Sequence, residues 1–307
     1  MSGKPGDNRH GVLNLYKPTG PTSHDCVGRV RRALGTRRVG HAGTLDPLAC
    51  GVLVIGVGHG TRILEYLQGQ PKTYRARLVL GLTTDSQDTT GVTTAEADAS
   101  AVTREALLER LETFRGEQLQ VPPMVSALKV GGKKLYELAR RGETVERAPR
   151  PVTFYELELL DFKPGRRAEA EIRVRCSSGT YIRTLCHDLG EQLGVGAAMS
   201  ALEREAVGDL RAEDAVPLDE LTADTPLVPL AEALRHLPSH TVSEEDQLRL
   251  SHGQFVPAPD ETAEGPLRVL SPEGVLLAIA TVRGQREARL LAPEKVFSYS
   301  DAAHTGS

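Results

Sequence analysis

Residues 40–51 read Gly40-His41-Ala42-Gly43-Thr44-Leu45-Asp46-Pro47-Leu48-Ala49-Cys50-Gly51, and Val52-Leu53-Val54-Ile55-Gly56-Val57 follows at once. The first stretch is a polar, glycine-punctuated loop with one carboxylate. The second is a short apolar run bounded by glycines, the pattern of a buried strand. Together they predict Asp46 on a loop braced by a sheet. The glycines open backbone torsions closed to other residues, and Pro47 fixes its own φ and pushes Asp46 towards an extended conformation. Leu45 and Leu48 can anchor the loop in the core, so one side chain is presented rigidly. From spacing alone, Asp-Pro also reads as the opening of an ordinary turn.

Outward from this loop the pattern alternates between strands and helices. Val12 to Leu15 reads as a strand, and Thr22 or Ser23 caps a helix whose Val27, Val30 and Leu34 recur at helical spacing before Gly35. Thr61 to Gln68 predicts a short helix. Lys72 to Gly81 places Tyr74, Ala76, Leu78 and Leu80 on one face of a half-buried strand, so Tyr74 points inward. Thr83 to Ala99 reads as a connection, and Thr103 caps a helix from Arg104 to Phe114. Leu135 to Arg141 predicts another helix, ended by Gly142. Val152 to Phe162 and Ala168 to Cys176 are strands joined by Lys163-Pro164-Gly165. Gly179 to Leu193 predicts a helix with Ile182, Leu185, Leu189 and Leu193 on its apolar face and Arg183 beside that stripe. The sum is an α+β chain with a large mixed sheet. Near residue 240 the character changes. Ser243 caps a short helix ending before Gly253, and Leu267 to Leu270, Val275 to Val282 and Glu287 to Leu291 read as the short strands of a small β-barrel.

Composition fits a globular enzyme. The 307 residues are 39% apolar and 25% charged, which accommodates one large domain and a small one. No run approaches about 20 apolar residues, and the N-terminus lacks a signal-peptide core, so the protein is expected in the cytoplasm and away from membranes. Cys26, Cys50, Cys176 and Cys186 show no metal-ligand spacing and read as reduced, partly buried residues. Cys186-His187-Asp188 diverge on a helix and cannot share one ion. The net charge of −4 gives no hint of a polyanionic partner, but its distribution does. Arg29, Arg31, Arg32, Arg37 and Arg38 cluster without an acid among them, and Lys129, Lys133, Lys134, Arg140, Arg141, Arg147 and Arg150 outnumber the nearby acids. Such clusters are either phosphate-tracking surfaces or solvated faces.

The stretch GHAGTLDPLACGVL resembles the catalytic motif of the bacterial TruB family of tRNA pseudouridine synthases, which isomerise uridine 55 in the T loop. Upstream, Gly11-Val12-Leu13-Asn14-Leu15-Tyr16-Lys17-Pro18-Thr19-Gly20-Pro21-Thr22-Ser23 resembles the opening motif of that family. Downstream, Lys72-Thr73-Tyr74-Arg75-Ala76 resembles the motif of its active-site tyrosine. The stretches from Ser126 to Glu137 and from Cys176 to Leu185 are similar as well, in matching order from about residue 11 to about residue 210.

The resemblance implies a pseudouridine synthase fold with a large mixed, mainly antiparallel sheet, plus a small C-terminal PUA-like β-barrel domain. It divides the chain into a catalytic domain (1–238), an RNA-binding domain (239–300) and a disordered tail (301–307). It assigns the essential carboxylate to Asp46, the arginine paired with it to Arg183, and the tyrosine that stacks on the target base to Tyr74. Leu202 becomes an apolar wall of the pocket, His41 the group that fills the gap left by flipped bases, and Lys17 a contact near the pocket or phosphates. The basic residues Arg37, Arg38, Lys133 and Lys134 become contacts to the RNA. The implied partner is tRNA through its T stem-loop, with no cofactor, no metal and no obligate protein partner. Thr90 departs from the family, which commonly has an acid there, and this argues against a polar network around Asp88. A glycoside hydrolase would need a pair of carboxylates where this motif has one. A non-catalytic RNA-binding protein would have no use for Asp46, Tyr74 and Arg183 together.

Overall fold

The computed structural model describes residues 9–124, 145–258, 264–284 and 289–299, with the backbone alone at 129–130 and 133–134. Strand β1 (Gly11–Lys17) leads to α1 (Ser23–Ala33), which Thr22 and Asp25 close with a capping box. Helix α1 buries Cys26, Val27 and Val30 against Leu13, Leu15, Leu53 and Ile55. The glycine-punctuated stretch 40–51 is less of a loop than its glycines suggest. Residues Val39–Ala42 form β2, which pairs antiparallel with β3 (Ala49–Val57), leaving only 43–48 between them. In place of one helix over 61–68 there is a 3-10 turn (Gly58–Arg62) and then α2 (Leu64–Gln68).

Strand β4 (Lys72–Leu80) alternates as expected, with Tyr74, Ala76, Leu78 and Leu80 buried. The supposed connection after it contains a hairpin, β5 (Leu82–Thr84) and β6 (Thr93–Glu96). Helix α3 (Arg104–Glu112) follows its Thr103 cap, and an unforeseen edge strand β7 (Gly116–Gln120) comes next. Strands β8 (Lys129–Val130) and β9 (Lys133–Lys134) pair with each other. The expected helix from Leu135 to Arg141 and the tail 301–307 lie outside the described residues. Strands β10 (Arg150–Lys163) and β11 (Glu169–Cys176) are followed by α4 (Ile182–Gln192), which starts three residues after the predicted Gly179.

The chain then forms β12 (Ala197–Val207), β13 (Leu210–Arg211) and β14 (Val216–Pro217). Sheet order is β14-β1-β3-β12-β4-β11-β10-β7, with β2 on β3 and β13 on β12. Of these pairings only β1–β14 and β3–β12 are parallel, so the sheet is mixed and mainly antiparallel as expected. Strand β12 was not foreseen, because Ala-Ala-Met-Ser-Ala-Leu-Glu-Arg-Glu-Ala is rich in helix formers. Its position between β3 and β4 overrides that propensity, and it joins the strand behind Asp46 to the strand of Tyr74.

Beyond a short helix α5 (Leu230–Ala233), a second sheet gathers β15 (Ser239–Thr241), β16 (Val256–Pro257), β17 (Leu267–Leu270), β18 (Leu276–Arg283) and β19 (Leu290–Val296), with α6 (Glu244–Ser251) beside it. Its order β15-β17-β18-β19-β16 makes a curled five-stranded sheet. The last strand falls later than the predicted 287–291. Leu276, Ile279 and Phe297 of this unit pack with Val12, Val52, Val54, Ile63 and Leu67 of the first. The seam is closed by Arg62 Nη1 donating to Val296 O (2.6 Å), Lys295 Nζ donating to Arg62 O (2.7 Å), and His59 Nε2 bonding Ser298 O (2.8 Å). Among the described residues no helix is long and apolar enough to cross a membrane.

Candidate active site

The loop 43–48 is held from behind. Ser23 Oγ, at the start of α1, accepts from Leu45 N–H (2.8 Å) and donates to Leu45 O (3.0 Å). Gly20 N–H donates to Pro47 O (2.8 Å), and Lys17 Nζ donates to Ala49 O (2.5 Å) and Pro18 O (3.0 Å). With the backbone bonded in this way, the Asp46 side chain stays 42% exposed at the surface of a cleft.

Across the cleft stands Arg183, in the first turn of α4 and 5% exposed. Its guanidinium divides between two carboxylates. Nη2 lies 3.1 Å from Asp46 Oδ2, and Nη1 lies 3.4 Å from Asp88 Oδ2 while donating to Ser86 O (3.0 Å). Asp88 is buried, and its other oxygen accepts from Ser86 Oγ (2.9 Å), Thr90 N–H (3.0 Å) and Thr90 Oγ1 (2.5 Å). The departure at Thr90 therefore does not break the polar network around Asp88. A threonine hydroxyl is a donor, and it supplies what the buried carboxylate accepts. The same loop is tied to α4 by Thr184 Oγ1 donating to Gln87 Oε1 (2.8 Å), with Gln87 in the left-handed region at φ 66°.

Tyr74 sits on the inner face of β4, opposite Arg204 of β12 in the ladder. Burial pushes the phenol above its ordinary range, and the Arg204 guanidinium opposes that shift. Arg204 is 1% exposed and donates from Nε to Val52 O (2.7 Å) and from Nη2 to Gly43 O (3.1 Å). Lys72, two residues before Tyr74, donates to Gln68 O (2.8 Å) and Gln70 O (2.9 Å). Burial first, and Arg204 second, bring its ammonium down to about 8. The cleft encloses about 440 Å³, and Asp46, Tyr74, Arg183 and Leu202 all line it, with Lys72 and Arg204.

The other expected site residues lie elsewhere. His41 is half-buried on β2, outside the cleft lining, with Nδ1 buried and unbonded among the described residues. Burial, Arg204 and His24 lower its pKa from 6.5, so the ring is neutral at pH 7. Lys17 is fully buried behind the Asp46 loop, and burial lowers its pKa. Arg37 and Arg38 are exposed between α1 and β2, whereas Arg31 of the same cluster donates to Val39 O (3.0 Å). Lys133 and Lys134 lie in β9, and their side chains are outside the described residues.

Three residues of the site escaped the sequence reading. For Ser23 the sequence predicts only a capping role. Lys72 has the same parity as Tyr74 in a strand that buries that face, and a lysine there was a usable signal. Arg204 likewise shares parity with Leu202 on a strand that was not foreseen.

The description "TruB family pseudouridylate synthase (N terminal domain)" matches residues 31–182, and "tRNA pseudouridylate synthase B C-terminal domain" matches 183–237. A tRNA pseudouridine synthase B of Symbiobacterium thermophilum is 54% identical over 244 residues, covering 79% of this chain and 82% of its own. That of Heliobacterium modesticaldum is 44% identical, covering 94% and 95%. Among solved structures, an H/ACA RNP bound to a substrate RNA containing 2'-deoxyuridine matches with a TM-score of 0.74 at 25% identity, covering 95% of this chain and 86% of that one. The archaeal box H/ACA sRNP Nop10-Cbf5 complex matches with a TM-score of 0.72 at 26% identity, covering 97% and 92%. With these matches running through the loop of Asp46, the strand of Tyr74 and the helix of Arg183, the chain belongs to the TruB family of pseudouridylate synthases.

Proposed function

We propose that this TruB-family tRNA pseudouridine synthase, an isomerase, acts on uridine 55 of the tRNA T loop, with Asp46 as the essential carboxylate. The observation that carries the reading is Asp46 itself, held on a braced loop 3.1 Å from a buried guanidinium and opening into the cleft of Tyr74. In the reaction the N1–C1′ bond breaks, the uracil turns, and a C5–C1′ bond forms. The C5 proton leaves and N1 takes one up, so no redox partner is needed. Asp46 serves either as nucleophile at C1′ or as the base that removes a sugar proton on the way to a glycal. Both routes use the carboxylate form, and the buried Arg183 guanidinium lies 3.1 Å from it.

Tyr74 offers a flat platform for the base, and Leu202 closes the wall beside it. A cleft of about 440 Å³ suits one extruded nucleotide, so the uridine is flipped out at a cost of a few kcal/mol, with His41 filling the space it leaves. Arg37, Arg38, Lys133 and Lys134 grip the backbone of the T arm, and residues 239–300 add an RNA-binding unit to the catalytic unit 1–238. The reaction takes place in the cytoplasm, where tRNA is processed. A two-carboxylate glycosidase is disfavoured by Asp88, the second acid near the site. It is 7% exposed, lies on the far side of Arg183 and has its acceptor oxygens occupied.

The test is Asp46→Asn. Pseudouridine formation in tRNA is expected to fall by about a thousandfold or more while tRNA affinity stays within about twofold, because only a charge is removed. Turnover at the wild-type rate would overturn the assignment, and release of free uracil by the wild type would point to a hydrolase.

A further inference from the structure

The geometry points to Gln120 as a positioning residue for Arg183, a role that rests on the reading of the Asp46–Arg183 pair given above. Helix α4 begins at Tyr181 without a side-chain cap of its own. Most helices fill that position with Ser, Thr, Asp or Asn, since the first N–H groups have no intrahelical acceptor. Here the side-chain amide of Gln120 reaches in from another element. Its Oε1 accepts from Tyr181 N–H (2.8 Å) and its Nε2 donates to Tyr181 O (3.0 Å). The same carbonyl accepts the first helical bond, from Leu185 N–H (3.1 Å). Both main-chain polar groups of the residue that caps the helix are thereby fixed, by a side chain 61 positions away in sequence.

Gln120 can act as an anchor because it is itself held. It is 5% exposed, it ends β7, and its backbone is registered against Arg150 of β10 in the large sheet. Two residues after Tyr181 comes Arg183, whose two ends must sit 3.1 Å from Asp46 and 3.4 Å from Asp88 at once. The remainder of α4 is held by Leu185, Cys186 and Leu189, all fully buried. The amide therefore serves the first turn of the helix, where the guanidinium is aimed, and the apolar stripe serves the rest.

Gln120→Met removes both bonds at nearly constant volume. Single-turnover isomerisation at saturating tRNA is expected to fall roughly tenfold to hundredfold, with the tRNA Kd changed less than about twofold. In an Arg183→Met background the same substitution should cost less than about twofold, because the group it aims is already gone. That silence separates positioning from a general loss of structure. Gln120→Glu keeps the acceptor for Tyr181 N–H but sets a carboxylate oxygen against Tyr181 O. It gives the same cycle should the methionine variant fail to fold. The role is overturned by an equal rate loss in both backgrounds, by a wild-type rate, by a loss confined to Kd, or by failure of both variants to fold. An inactive Asp46→Asn beside a fully active Gln120→Met refutes only this role, whereas an active Asp46→Asn refutes the reading beneath it.

Discussion

On the outer face of the large sheet, Arg75 and Arg173 share Glu205 at 2.9 Å each, and Arg75 and Arg77 share Glu171 at 3.3 and 2.6 Å. On the inner side Arg183 stands between Asp46 and Asp88 at similar distances. The contacts look alike, but the surroundings differ. The outer arginines are 41–65% exposed, so water screens their pairs and competes for the guanidinium groups, although Glu171 and Glu205 are only 14% and 22% exposed. Arg183 is 5% exposed, and of its partners Asp88 is equally sealed while Asp46 opens to the cleft. Distance alone therefore says little about what an ion pair does. A guanidinium buried beside one satisfied acid has its charge directed at the other, the acid that opens to the cleft.

Four measurements would break or sharpen this contrast. Arg183→Met should reduce single-turnover isomerisation by about a hundredfold or more, and it should also cost about 3 kcal/mol of stability, because Asp88 is left as a buried charge without its cation. A drop in tRNA affinity equal to the drop in rate would show instead that Arg183 grips phosphate. Next in size is the double change Arg37→Ala with Arg38→Ala, on exposed residues away from the cleft. It should weaken tRNA binding and flatten the log K against log salt slope by about 0.7 to 0.9 per lost phosphate contact, leaving the saturated rate nearly intact. An unchanged slope would make the pair a solvated face.

Lys72 supplies a pH test. Its pKa is about 8 in the folded chain against an ordinary 10.5, so between those values the unfolded chain binds the additional proton. Stability from this group must then rise with pH across that window, the penalty of burying the charge being fully present below about pH 8. Urea unfolding of the wild type relative to Lys72→Met should show the difference climbing from pH 8 to pH 10.5. A flat difference would mean that the ammonium is not held down by burial. The smallest effect is expected on the outer face, where Glu205→Gln should cost less than about 1 kcal/mol and leave isomerisation unchanged. A loss comparable to that of Arg183→Met would erase the distinction between the two faces.

The placement of the candidate site's residues was legible because it is local, while their roles came from the family resemblance. The Asp46 loop, the inward parity of Tyr74 and the placement of Arg183 near a helix start all follow from spacing within a dozen residues. What escaped was set by distant partners. Strand β12 is a helix-prone sequence recruited into the sheet by β3 and β4, and with it went Arg204. Thr90 looked like a lost acid, but only the folded loop shows that Asp88 needs donors there. Gln120 falls in Gly-Glu-Gln-Leu-Gln, whose lack of apolar alternation hid a strand, and its partner lies beyond any window. The C-terminal sheet was foreseen in outline, while its last strand was placed several residues early.

The seam between the two sheets has a consequence for how the chain can change over time. Arg62, Lys295 and His59 each reach across it to a main-chain carbonyl, those of Val296, Arg62 and Ser298. A carbonyl is present whatever side chain its residue carries. Val296 and Ser298 can therefore be replaced without removing an acceptor. These three bonds are indifferent to the side chains of their acceptor residues, so positions 296 and 298 can drift in sequence without loss of them, while Phe297 between them is held by the apolar seam.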